Sequence, residues 1–589
     1  MSTNPVPLSE GGRHPADRPD TLIRAPVDVE GGSPPTPREF ATAVELVDAS
    51  GVVEVVGPLV DSDIGRPRSL NFRAFCVAAQ VNALRPHHVA HLVAITKVMN
   101  SFSHEQLQAL GITDWGFANS YLRFERLFLR IFQIFREGNV VDVDGEPTTI
   151  DARWVANREI SASRPSEYVT SGSIAIDGTD VPTWGRLHGD VETLVLDLEE
   201  TDEERSDDVI DFVARTARKK RRARILGVGP DGRNIYTADP TARAGWRSAT
   251  GKRKAGPFNG YELHTLVQTR DLAWSNGVTR ARVGPQVPPL ILGIALVPAG
   301  THRSRTVVPM LLEGKERGWR IDDVLVDPGY SLAKPEFLMH PLHEAGIHVT
   351  FRPASHQWKA KPFSEDAIVS GGQLFDARLP EDLRDLRPPG RDATASEKTE
   401  IEEAFNRKAP YRYTLHAGPD DEGFTRWRSP FSAGLLRSRE LPWTMRRPVD
   451  SGPLVSLPPG TRPAATISVS AADLPLRQRL PTGTAAHNIS MGRRQIVETM
   501  NAQLKGGFVD LEKGQFRVFG TDKIEFLLGF TIAALNVRTV RMWRARLAAE
   551  SLNAAKPRPR ARRRRGTYGQ VLALTQAGSP SDPVRGPPR

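Results

Sequence analysis

SIAIDGT (residues 173–179) and VLVDPGY (residues 324–330) decide how this chain is read. Each is a short apolar run rich in β-branched residues that closes on a carboxylate. The first ends in Asp177, followed by Gly178-Thr179; the second ends in Asp327, followed by Pro328-Gly329-Tyr330. Such runs are predicted as buried strands, and the residues behind them as turns. A carboxylate at the carboxyl end of a buried strand lies where α/β sheets bind their ligands. Two such strands side by side bring Asp177 and Asp327 together.

Working outward, strand and helix patterns alternate. Residues 261–267 alternate like a half-buried strand, and residues 290–297 form a continuous apolar one. Residues 306–317 read as a helix, 321–327 as a buried strand, 336–345 as a helix and 347–351 as a strand. This interleaving predicts an α/β protein with a mixed sheet flanked by helices. Upstream, residues 71–138 repeat apolar side chains at helical spacing, for instance Leu122, Phe124, Leu127, Phe128, Ile131 and Phe132. Ser103 followed by Gln106 reads as a helix start. Three or four helices are expected there, either a helix-turn-helix DNA reader or a packing domain.

The expected division is a disordered or weakly ordered leader at 1–68 and a helical, candidate DNA-binding domain at 69–160. The α/β core follows at 161–351, an insertion at 352–487, the rest of the core at 488–552 and a basic disordered tail at 553–589. The insertion is poor in periodicity, with strands expected at 411–417 and 465–470. An acidic stretch (190–211) precedes a basic one (215–224), which is either a solvated segment of mixed charge or a phosphate-binding stripe. The tail carries Arg562-Arg563-Arg564-Arg565 and attracts polyanions without specificity.

Composition narrows the classes. The chain has 589 residues, 39% of them hydrophobic, enough for a sizeable core, and a net charge of +10 that fits an anionic partner. One cysteine, Cys76, excludes a disulfide-stapled scaffold and a thiolate metal site. No apolar run approaches the roughly 18 residues that span a bilayer, and the first residues have no signal-peptide shape. A cytoplasmic protein without membrane contact is expected. There is no Walker loop, dinucleotide glycine fingerprint or Gly-x-Ser-x-Gly elbow, which disfavours a small-molecule α/β enzyme.

A third acid, Glu498, lies in a helical stretch running from Arg494 to Lys505. At about 100° per residue, Arg494, Glu498, Asn501 and Lys505 fall within roughly a 60° arc. Ile496, Val497, Met500 and Leu504 form the adjoining apolar face that docks on a sheet. Glu498 therefore sits at the rim of the packed face, able to meet the two aspartates. Taken singly, Asp-Gly-Thr is most often a turn and an Arg/Glu pair at i, i+4 a surface ion pair. Taken together, three carboxylates at one place repel unless a cation neutralises them. Mg²⁺ or Mn²⁺ suits such oxygen ligands, and two ions about 4 Å apart clamp the oxygens of a phosphoryl displacement. Arg494 and Lys505 would then face a phosphate backbone.

These residues resemble a DDE transposase of bacterial insertion sequences. IAIDGTDVPTW (174–184) resembles that family's first-aspartate strand, and VLVDPGYS (324–331) its second, which more often reads Asp-Arg-Gly-Tyr. The segments at 239–246 and 258–267 are similar to its second-strand region. Arg494, Glu498 and Lys505 match the signature Tyr-x2-Arg-x3-Glu-x6-Lys, with Met491 in place of the tyrosine.

The resemblance implies a ribonuclease H-like core in which Asp177, Asp327 and Glu498 are catalytic and hold two Mg²⁺ ions, Mn²⁺ being the substitute. It implies an insertion between the second aspartate and the glutamate. It also implies double-stranded DNA as partner, both terminal inverted repeats and target, and a dimer assembled on that DNA. The activity implied is metal-dependent strand cleavage at transposon ends followed by strand transfer. Arg494, Asn501 and Lys505 are the expected DNA contacts, with Trp184 as a stacking residue for an extruded base. Asp180 is assigned to the turn after the first strand. The alternatives are a catalytically silent DNA-binding derivative and a ribonuclease H-like nuclease without strand transfer.

Overall fold

The structure is a computed structural model that describes residues 29–61, 69–187, 225–247, 255–274, 281–331, 333–353, 358–390, 392–418, 420–441, 452–470, 478, 480–512 and 514–554. The acidic-to-basic interval and the arginine-rich tail lie outside the described residues.

The first helices lie within the expected leader. α1 (Pro37–Ala49) starts at Thr36, whose hydroxyl accepts from the Glu39 N–H while the Glu39 carboxylate accepts from the Thr36 N–H. Pro37 at the first helical position adds a pre-set φ. α2 is Val52–Val60. Ala43, Leu46, Val47, Val52, Val56 and Val60 are buried, so the weakly ordered leader does not reach residue 68. Proline and charge at its start masked an amphipathic helix behind it.

Four helices then occupy the stretch read as three or four: α3 (Phe72–Leu84), α4 (Leu92–Met99), α5 (His104–Ala109) and α6 (Ser120–Arg136). α5 has the expected capping box, with Ser103 Oγ accepting from the Gln106 N–H and Gln106 returning an acceptor to the Ser103 N–H. Ser103→Ala is expected to cost about 1 kcal/mol, read as a lower midpoint in urea unfolding. A hairpin, β1 (Val140–Val143) and β2 (Glu146–Thr149), leads to α7 (Ala152–Ala162).

The main sheet has six strands: β3 (Ser173–Pro182), β6 (Arg243–Arg247), β7 (Gly256–Thr269), β10 (Ile291–Pro298), β11 (Asp323–Leu325) and β12 (His348–Thr350). The short ribbons β4 (Gly227–Val228) with β5 (Asn234–Ile235), and β8 (Leu272–Trp274) with β9 (Ala281–Val283), lie outside it. The order is β10-β7-β3-β11-β12, with β6 also on β7. β3, β7 and β10 pair antiparallel, whereas β11 runs parallel to both β3 and β12. The crossovers are α8 (Arg303–Glu316) between β10 and β11, and α9 (Met339–Glu344) between β11 and β12. The protein is thus mixed α/β.

Both sheet faces are covered. Ala175, Val181, Leu263, Val267 and Leu325 share one apolar core with α1–α7 and with two later helices, α12 (Gln495–Gly506) and α13 (Thr521–Ala554). Ile174, Ile176, Leu266, Val324 and Val326 share a second core with residues of α8 and α9. This corrects two expectations. β7 is buried along nearly its whole length rather than half-buried, because a strand covered on both faces need not alternate. The helical residues before 161 belong to the same core as the sheet, so no core boundary falls there. Aromatic packing joins them: Phe526 of α13 meets Phe75, Phe128, Phe132 and Phe135 at ring-centroid distances of 6.0, 6.4, 5.6 and 6.1 Å.

Between β12 and α11 (Ala485–Gly492), the expected insertion holds two three-stranded antiparallel sheets and α10 (Ala395–Lys408). The first sheet is β13 (Lys361–Pro362), β14 (Ala367–Ser370) and β15 (Gln373–Asp376). The second is β16 (Thr414–Ala417), β17 (Thr425–Arg428) and β18 (Thr466–Val469), which includes both strands expected from sequence. Among the described residues no helix is long and apolar enough to cross a membrane.

Candidate active site

The register of two strands sets the site. β3 and β11 pair in parallel with Ser173 beside Asp323 and Ala175 beside Leu325. Carried two residues past the last paired position, this register brings Asp177 towards Asp327, which lies just beyond β11. Side chains alternate across a strand, so both aspartates project on the face of Ala175 and Leu325, the face covered by α12.

Asp177 does not end its strand. β3 continues to Pro182 and pairs with β7 throughout, which places Asp180 in the same strand and not in a turn. The Gly-Thr signal was misread because Gly178 serves another purpose. A Cβ there would stand 2.3 Å from Glu262 Oε1, on β7. A Cβ on Gly329 would likewise stand 2.4 Å from Arg303 Nη1. Glu262 and Arg303 form an ion pair at 2.9 Å. Gly178, next to Asp177, and Gly329, two residues after Asp327, thus each leave room for one member of this pair.

α12 delivers the third acid. Its apolar face, Val497, Met500 and Leu504, is buried in the first core. Arg493, just ahead of it, is buried and anchors it: the guanidinium donates to Ser173 Oγ and Arg270 O, both at 2.9 Å, and pairs with Asp323. Arg494 then sits over the carboxylates. Its Nη2 donates to Asp327 Oδ1 at 2.8 Å and lies 3.6 Å from Asp177 Oδ1; its Nη1 donates to Glu498 Oε1 at 2.6 Å. Three acids far apart along the chain therefore share one guanidinium. Asn501 Nδ2 donates to Asp177 Oδ2 at 3.2 Å, and Lys505 pairs with Asp180.

Electrostatics follow from this crowding. Burial pushes Asp177 up to about 6; Arg494 pulls it back, and the Asp327 charge adds to the rise. Burial works against the Arg494 charge too, but Asp177, Asp327 and Glu498 together hold that guanidinium above its ordinary value. Behind the aspartates, Tyr330 is fully buried and its hydroxyl meets His264 Nδ1 at 2.8 Å. Burial keeps His264 neutral near pH 7, with its value lowered to about 4. The Arg303 guanidinium lies 5.9 Å from the Tyr330 ring centre.

The polar stripe read from the sequence is therefore gathered at one place: Arg494, Asn501 and Lys505 reach carboxylates of β3 or just past β11, and Glu498 joins them through Arg494. Trp184 takes no part. It lies beyond β3 with the Arg517 guanidinium 5.1 Å from its ring centre. Met491 is buried in α11. Sequence reading missed Arg493, Glu262, His264, Arg303 and Tyr330. The signal for Tyr330 was its place three residues after Asp327; Glu262, on β7 opposite Asp180, is brought in by strand pairing and had no local signal.

The donor chemistry suits a hard divalent ion: two aspartates and a glutamate presenting oxygens to a common cation. As arranged, however, they converge on Arg494 and not on a point of their own. Among the described residues, no three acidic, histidine or cysteine side chains are grouped closely enough to hold an ion. Comparison with profiles of known protein families, with curated proteins and with solved structures finds no match to this chain.

Proposed function

We propose that the protein is a metal-dependent DNA transposase that cuts strands at the ends of its element and joins them to target DNA, with Asp177, Asp327 and Glu498 as the catalytic carboxylates. The observation that carries this reading is the convergence of these three acids on the Arg494 guanidinium. A six-stranded mixed sheet, four antiparallel strands continued by two parallel ones, with helices on both faces, is compatible with the ribonuclease H-like core the motifs imply. The two small sheets after β12 stand where that family carries its insertion.

Two Mg²⁺ ions, or Mn²⁺ in their place, would be held by Asp177, Asp327 and Glu498, and when bound would supply Lewis acidity at the scissile phosphate. The chain's own residues do the rest. Asn501 orients the Asp177 carboxylate, and Lys505 is held at the rim by Asp180. Arg494 keeps the acids together, and a phosphate oxygen of the bound strand is a partner its planar fork would suit equally well. DNA of both kinds, terminal repeat and target, would lie across the exposed edge of α12. Two ends must be joined in one event, which calls for a dimer on DNA.

One observation favours a second reading. A guanidinium lodged among the three acids already offsets part of their charge, as a catalytically silent DNA-binding derivative would allow. Purified protein incubated with its own terminal DNA and Mg²⁺ separates the two: cutting that depends on the ion and disappears in Asp327→Ala supports the enzyme. Cutting undiminished in that variant overturns the site, and specific binding without cutting supports the silent reading.

A further inference from the structure

On the other flank of α12 lies a cleft of about 460 Å³, within the size range of small-molecule sites. Val287, Ile496 and the indole of Trp543 give it apolar walls, and Arg270, Arg546 and Thr499 give it polar ones. Thr499 follows Glu498 directly, so the helix that carries the third acid separates this cleft from the carboxylates.

The charge in the cleft is one-sided. Among the described residues, no acidic side chain lines it. Arg270 donates from Nε to the carbonyls of Gly284 at 2.8 Å and Pro285 at 3.2 Å, and so is anchored by neutral groups. Arg546, whose carboxylate partner is Glu550 on its own helix, has its guanidinium 4.9 Å from the Trp543 ring centre. Burial, and after it the like charge of Arg546, holds Arg270 below its ordinary value. Of the three arginines that line it, Arg493 is paired with Asp323. Arg270 and Arg546 thus face one space with no anion among the described lining residues, beside an aromatic wall.

We infer that this cleft seats one unpaired nucleotide of a DNA strand, its base against Trp543 and its phosphate between Arg270 and Arg546. A ring and a phosphate carried on one small unit match what the walls offer. Base–aromatic contact and guanidinium–phosphate pairing are the two forces that hold single strands on proteins. The inference rests on the reading of the chain as a DNA enzyme, and it adds a site for an extruded nucleotide that is separate from the carboxylates and from Trp184.

The test is fluorescence anisotropy of a labelled single-stranded oligothymidylate with the full chain in EDTA. Trp543→Leu and Arg270→Gln are each expected to weaken binding about fivefold or more. Arg546→Gln, at a partly exposed position whose ion pair lies within its own helix, is expected to weaken it as well. A strand of abasic sugars should bind less well than oligothymidylate and lose nothing further in Trp543→Leu. Unchanged affinity in Arg546→Gln and Trp543→Leu, or an equal loss in Trp543→Leu for abasic and normal strands, would overturn the seat. Because no divalent ion is present, a chain that binds through the cleft but never cuts DNA supports this inference while overturning the catalytic proposal.

Discussion

Asp327→Asn is expected to lower the rate of Mg²⁺-dependent strand cutting by roughly a thousandfold or more, in line with the loss of one member of a group that acts as a unit. The amide keeps the volume of the side chain and an oxygen for Arg494, which donates to Asp327 at 2.8 Å. The fold therefore survives, and binding of terminal DNA, measured by gel shift, is expected to hold. What is lost is a negative charge at the end of β11. Asp180→Asn is the control. Asp180 shares β3 with Asp177 but pairs with Lys505 instead of Arg494, so its replacement is expected to slow cutting by less than about tenfold. Equal losses at positions 327 and 180 would move the site along β3 and undo the assignment of Asp177.

Arg494→Ala tests the same site through stability. The variant leaves Asp177, Asp327 and Glu498 without the cation they share, and breaking a buried pair from one side costs about 3–5 kcal/mol. The low end is expected here, because the Glu498 and Asp327 carboxylates are 56% and 36% exposed and keep some water. The pH dependence has a definite sign. Asp177 in the folded chain stands at about 6, above its ordinary 3.8. A raised carboxyl takes up a proton on folding, so its contribution is most favourable at low pH and declines as pH rises through that window. Removing Arg494 removes the strongest pull in the other direction and widens the window upward. The deficit of the variant is therefore expected to be larger at about pH 8 than at about pH 5. Mg²⁺ or Mn²⁺ is expected to raise the melting temperature of Arg494→Ala more than that of the wild type, since an ion that binds only the folded form stabilises it by mass action. Thermal unfolding at the two pH values, with and without the ion, reads both effects. A variant as stable as the wild type at the higher pH, or one that gains nothing from either ion, would end the case for a cation site.

Much of the architecture was readable from local pattern. The buried runs at 290–297 and 347–351 became β10 and β12, and the Ser103–Gln106 pair became a cap, because these depend on residues within a few positions of one another. The stripe from Arg494 to Lys505 was legible for the same reason: helix geometry alone sets which side chains share a face. Misreadings arose where the deciding partner was distant in sequence. Gly178 looked like a turn residue; it is a glycine because Glu262, on another strand, needs the space. Residues 37–60 of the expected leader looked weakly ordered; they are helical because α1 and α2 bury their valines and leucines in a core that extends to α13.

By itself, the amino-acid sequence determined that this is a mixed α/β chain with strand-borne aspartates and a helix-borne glutamate at defined positions. Strand propensity and helical periodicity are short-range properties, and they write themselves into consecutive residues. Only the tertiary structure decided that Asp177, Asp327 and Glu498 meet on the Arg494 guanidinium, that Arg493 ties that helix to two strands, and that Arg270 faces Arg546 across a cleft. Those outcomes depend on the parallel register of β3 and β11 and on how α12 docks across them. Both are set by packing summed over the whole core, which no single stretch of sequence contains.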